Sequence, residues 1–175
     1  MAARGIFPDT TVLCNFAAVH RLDLLRDFLR GRGRWTSAVA FEVARSSHWL
    51  PDLGGIEEGG WLDDPIDVED DRVELVRRHH FGGSASKPLQ HLGEAETCIL
   101  ITEHEQYRDS WWISEDADAV EYAQGRGITT YRTIDIMRMI VADGDLTAQA
   151  AFALMTDMYH SNRELELPSS PTDLE

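Results

Sequence analysis

Cysteine, lysine and long apolar runs are all scarce in this 175-residue chain, and each scarcity argues against a class of function. The two cysteines, Cys14 and Cys98, each lie inside an apolar helical pattern, which reads as a small buried thiol rather than half of a disulfide or part of a zinc site. No uncharged apolar run approaches the roughly 18 residues that a membrane span requires. The opening residues 1–5 also lack the apolar centre of a signal peptide. A cytoplasmic protein with no membrane contact is therefore expected. Lys87 is the single lysine among 16 basic residues, set against 31 acidic ones, for a formal charge of -15. That balance argues against a general electrostatic affinity for nucleic acid, since phosphate binding normally draws on a basic surface.

The charge is unevenly spread. Residues 1–34 carry Arg4, Arg21, Arg26, Arg30, Arg32 and Arg34 against Asp9, Asp23 and Asp27, whereas 52–74 is dense in acids with Arg72 nearly alone. One end is thus suited to meet a polyanion, although each arginine taken singly reads as part of a solvated helix face.

What is present is an ordinary globular composition, 43% hydrophobic and 27% charged, long enough for one domain with a real core. Short apolar runs alternate with helical periodicity. Strands are expected over 6–8, 35–36, 66–68, 110–114 and 128–131. Helices are expected over 11–19, through Leu22, Leu25, Phe28 and Leu29, and over 37–46, 69–80, 94–105, 117–125, 134–142 and 147–161. The Gly, Pro and Asp-rich stretch 51–65 reads as loop, and Gly82 to Lys87 as a plain linker, because it lacks phosphate-loop spacing. Strands separated by helices imply a mainly parallel sheet, since each parallel return needs a crossover long enough to be helical. The expected architecture is a three-layer α/β/α sandwich with an extra C-terminal helix: one domain over 1–165, followed by a flexible tail over 166–175.

Four acids fall where such a fold gathers ligands. Asp9 ends an apolar run just before a helical pattern, and Asp116 repeats that grammar after Trp111-Trp112-Ile113. Both carboxylates should project from carboxyl ends of strands, where open parallel sheets bind ligands. Glu42 shares a helical stripe with Val39, Val43 and Ser46, which turns a carboxylate inward, and a buried carboxylate needs a partner. Glu94 opens a helix with Thr97, Cys98 and Ile101 on its apolar side. Each also has a structural reading: Asp9 and Asp116 as helix N-caps, and Glu94 as an acid favoured by the helix dipole. His79, His80, His91 and His104 show no zinc-ligand spacing and read as surface or capping residues.

In order and spacing, Asp9-Thr10-Thr11-Val12-Leu13-Cys14-Asn15-Phe16, then Glu42, then Leu92-Gly93-Glu94-Ala95-Glu96-Thr97, then Ile113-Ser114-Glu115-Asp116-Ala117-Asp118-Ala119 resemble a PIN domain. The similarity is to the VapC-like toxin ribonucleases of toxin-antitoxin pairs, and it covers roughly residues 5–140. The chain departs from those compact toxins in its expanded 54–71 segment, its acidic balance and its added C-terminal helix. The resemblance implies a metal-dependent endoribonuclease with Asp9, Glu42, Glu94 and Asp116 as its acidic site. Asp9, Glu94 and Asp116 would be metal ligands, with Thr10, Ser114 and Asp118 as auxiliary groups. It implies magnesium or manganese as cofactor, RNA as substrate, a cognate antitoxin protein as partner, and a possible homodimer. Hard oxygen ligands agree with those ions. The competing expectation is a non-catalytic binding or scaffolding member that keeps the fold.

Overall fold

In the computed structural model, which describes residues 5–175, three parallel strands lie in the order β1 (Ile6–Pro8), β2 (Trp111–Ile113) and β3 (Thr129–Tyr131). The register aligns Ile6 with Trp111 and Trp111 with Thr129. In chain order the helices are α1 (Thr10–Ala18), α2 (Leu22–Leu29), α3 (Ser37–Ser46), α4 (Gly55–Gly59), α5 (Asp71–His79), α6 (Leu92–Glu103), α7 (Ala117–Gly125), α8 (Thr133–Ala142) and α9 (Ala148–His160). The molecule is therefore α/β.

Side chains alternate across a strand, so one short sheet can feed two cores. Ile6 and Ile113 join α1, α2, α3, α8 and α9 in the first core, and Phe7 and Trp112 join α5, α6 and α7 in the second. This arrangement is compatible with an α/β/α sandwich. The added C-terminal helix is present as α9, whose Ala151, Met155 and Met158 are fully buried in the first core. Cys14 and Cys98 are free and buried, as their apolar settings suggest.

Three stretches differ from their sequence reading. The strands expected at 35–36 and 66–68 reduce to a single parallel bridge between Thr36 and Ile66, outside the main sheet. Thr36 is already committed as the N-cap of α3, accepting from the Val39 amide, so no ladder can grow there. The 51–65 region is a 3-10 turn (Pro51–Gly54) followed by α4, and it sends Leu53, Ile56 and Leu62 into the first core. The 166–175 segment, expected as a flexible tail, packs back: Pro171–Leu174 forms a 3-10 turn, Leu174 is fully buried, and the Asp173 carbonyl accepts from Arg138 Nε. One apolar residue among polar neighbours carries no periodicity, so this docking left no pattern to read.

The segment leading into α6 is held by Arg77, whose side chain is 1% exposed. Its guanidinium binds the Glu74 carboxylate and donates through Nη1 to the carbonyls of Ser84, Lys87 and Gln90. Arg77→Met keeps much of the bulk but strands those acceptors, and the expected cost is about 2–3 kcal/mol. Urea unfolding at pH 7 measures it, and a midpoint equal to the parent's would show that the tether contributes nothing.

Candidate metal centre

Two of the expected acids stand just past the carboxyl ends of strands, each as the N-cap of the helix that follows: Asp9 directly after β1, and Asp116 three residues after the last residue of β2. The Asp9 amide donates to the Ile113 carbonyl, and its Oδ1 accepts from the Val12 amide as the N-cap of α1. Asp116 caps α7 in the same way, its Oδ1 accepting from the Ala119 amide. Ser114 ties the two together. Its hydroxyl donates to Asp9 Oδ2 at 2.5 Å, and the same oxygen accepts the Asp116 amide at 3.2 Å.

The other two acids come from a pair of helices that pack closely. Gly93 sits where an added Cβ would meet Val39 Cγ2 at 3.0 Å and the Glu42 carboxylate oxygens at 3.6 and 3.7 Å. Without a side chain there, α6 approaches α3 and brings Glu94 towards Glu42. Thr10 Oγ1 donates to Glu42 Oε2 at 2.6 Å, fixing that carboxylate from α1. Thr10 and Ser114 thus each hold one of the expected acids.

Glu94 and Asp116 converge with a residue that sequence reasoning left on the surface, His91. Ligand atoms of these three side chains all lie within 4.8 Å of one another, and His91 Nδ1 is 3.4 Å from Glu94 Oε1. His91 precedes α6 in a left-handed conformation and makes no side-chain cap. Its i, i+3 spacing to Glu94 was the available signal, since residues so spaced share a helix face. Asp9 falls outside the trio, near enough for the Glu94 charge to add to the rise of its carboxyl pKa. Asp118 is exposed in the first turn of α7, and the fold does not draw it into the group. Glu115, an acid that sequence reasoning passed over, turns inward, its Oε1 accepting the Thr133 amide at 2.6 Å.

Burial dominates the electrostatics. It pushes the Asp9 carboxyl up to about 7, against the Ser114 and Val12 hydrogen bonds, and the charges of Glu94 and Glu115 add to the rise. Glu42 is raised to about 6, again mainly by burial, with the Thr10 hydrogen bond opposing and Glu94 and Glu96 contributing. Glu115 moves upward for the same leading reason. Among the described residues no arginine or lysine forms an ion pair with Asp9, Glu42, Glu94 or Asp116. A group of carboxylates with no ion-paired arginine or lysine, facing one imidazole, fits a divalent cation: its oxygens suit magnesium or manganese, and the histidine nitrogen is a donor that manganese accepts more readily.

No helix among the described residues is long and apolar enough to cross a membrane. Comparison of the chain with protein-family models, curated proteins and solved structures finds no match.

Proposed function

We propose that this chain is a metal-dependent endoribonuclease of the PIN-domain kind, acting as the toxin of a toxin-antitoxin pair. The observation that carries the nuclease reading is the convergence of Glu94, Asp116 and His91, with Asp9 and Glu42 held beside them by Ser114 and Thr10. The toxin assignment and the antitoxin partner rest on the sequence resemblance.

Glu94, Asp116 and His91 would hold magnesium or manganese, with Asp9 completing the carboxylate set. A divalent cation held there would supply water activation and charge neutralisation at the scissile phosphate. The chain's own residues divide the remaining work. Ser114 keeps the Asp9 carboxylate oriented and, by hydrogen bonding to its charged form, favours ionisation against the burial that opposes it. Glu42, with a carboxyl near 6, is deprotonated for the most part at neutral pH and suited to accept a proton from the attacking water. Thr10 fixes the Glu42 oxygen that it touches, and the other would take the proton.

The test is cleavage of structured and single-stranded RNA by the purified chain with magnesium or manganese, alongside a folded Asp116→Asn protein. Cleavage that requires the cation and disappears in the variant is the expected result. A folded parent that neither cleaves RNA nor binds either cation by calorimetry would turn the assignment to a non-catalytic binding role.

A further inference from the structure

Beside the acidic centre, α3 and the segment before α6 enclose a slot that the chemistry above does not use. Two adjoining cavities, of about 390 and 230 Å³, share Phe41, Glu42 and Leu89 in their walls. Phe41 is 49% exposed and Leu89 43% exposed, so a large aromatic and a large aliphatic side chain meet solvent immediately next to the Glu42 carboxylate. Arg45 and Lys87 line the larger cavity, and among the described residues neither pairs with a carboxylate. Glu42 and Glu96 line the smaller one.

The slot is therefore polarised along α3. Residues three or four apart on a helix are neighbours on its surface, so Arg45 is adjacent to both Glu42 and Phe41, and all three line the larger cavity. A chain of formal charge -15 has little general attraction for a polyanion, so unpaired cations beside an acidic centre carry weight. An aromatic face next to such cations is the arrangement that receives an unstacked base with its phosphate.

We infer that the Phe41–Leu89 slot is a nucleotide subsite for single-stranded RNA: one base lies against Phe41 and Leu89, and its phosphate meets Arg45 and Lys87, next to the phosphodiester presented to the acidic centre. The inference rests on the nuclease reading and adds strand selectivity to it. A paired base is stacked within its helix and cannot enter, so single-stranded RNA is preferred over duplex. The shared walls also tie the subsite to Arg77, which anchors the Lys87 and Gln90 carbonyls.

The test measures binding and steady-state cleavage of a labelled single-stranded hexaribonucleotide, and of the same sequence in a duplex. The proteins are the parent, Phe41→Ala, Phe41→Trp and the Arg45→Ala/Lys87→Ala double variant. Phe41→Ala should weaken single-strand binding roughly ten- to a hundredfold and raise KM with little change in kcat, and Phe41→Trp should restore both. The double variant should weaken binding and flatten its salt dependence. Phe41 is half exposed, so thermal melting should show its variants folded. A parent that cleaves RNA with Phe41→Ala unchanged in KM overturns the subsite, leaves the groove to a protein partner and spares the nuclease reading. Equal affinity for single strand and duplex overturns it as well. A folded parent that neither binds nor cleaves either RNA overturns both.

Discussion

Asp9→Asn is expected to lower cation-dependent RNA cleavage by roughly 10²–10³-fold, the scale of several kcal/mol of lost charge stabilisation at the reacting phosphate, while the fold survives. The fold should survive because the local duties of Asp9 do not need its charge. Asparagine caps a helix about as well as aspartate, so the Val12 amide keeps an acceptor. Its amide can also donate to the Ser114 oxygen that now donates to Asp9 Oδ2. What disappears is one negative charge facing Glu94 and Glu115. The substitution should consequently weaken cation binding, raise stability at pH 8 and reduce turnover together. Calorimetry with manganese, urea unfolding and single-turnover cleavage read the three effects separately. Retained cleavage in a variant that binds the cation like the parent would remove Asp9 from the site.

The second large effect is on stability against pH. The folded Asp9 carboxyl titrates near 7 instead of its ordinary 3.8, and Glu42 near 6 instead of 4.5, so between these values the native protein holds protons that the unfolded chain has released. Stability falls with pH wherever the native state binds more protons. The contribution of these groups is thus fully present below about pH 4, lost as pH rises towards 7, and gone above it. Asp9 is partly open to solvent, so the expected loss is about 3–4 kcal/mol rather than the sum of both shifts. Other acids work in the opposite sense: hydrogen bonds from Arg72 hold Asp70 low at about 2, and that stability is lost in acid. The difference between parent and Asp9→Asn isolates the Asp9 share, since Glu42 is common to both proteins. In EDTA, the parent should lose stability relative to the variant between pH 4 and 8, and manganese should close that gap at pH 8 but add little at pH 5, where the proton already supplies the counter-charge. A parent-minus-variant difference that is flat across this range would sink the argument.

Asp9 and Asp116 were legible because N-caps announce themselves locally: an acid at the end of an apolar run, followed by helical periodicity. Glu42 was legible from its stripe with Val39 and Val43. Asp118 obeys the same local grammar as an acid in a helix's first turn, yet it points to solvent, because helix dipoles favour such acids wherever the helix faces. His91 carried a helical spacing to Glu94 but no metal-binding motif, and its left-handed backbone just before α6 has no mark in the sequence. Glu115 was passed over because nothing next to it in sequence marks its partner, the Thr133 amide, which lies on another element.

By itself the sequence determined the alternation of helices with short strands, the two buried thiols, the capping acids and the extra C-terminal helix, since periodicity and capping depend on neighbours a few residues away. Only the tertiary structure decided which acids meet, that His91 joins them, that the second and third expected strands shrink to one bridge, and that Leu174 brings the tail back to the core. It also decided that Phe41 and Leu89, distant in sequence, face one slot beside Glu42. The physical reason is the same throughout: charge coupling, close approach at Gly93 and hydrogen bonds between elements act through space, and no local pattern encodes their partners.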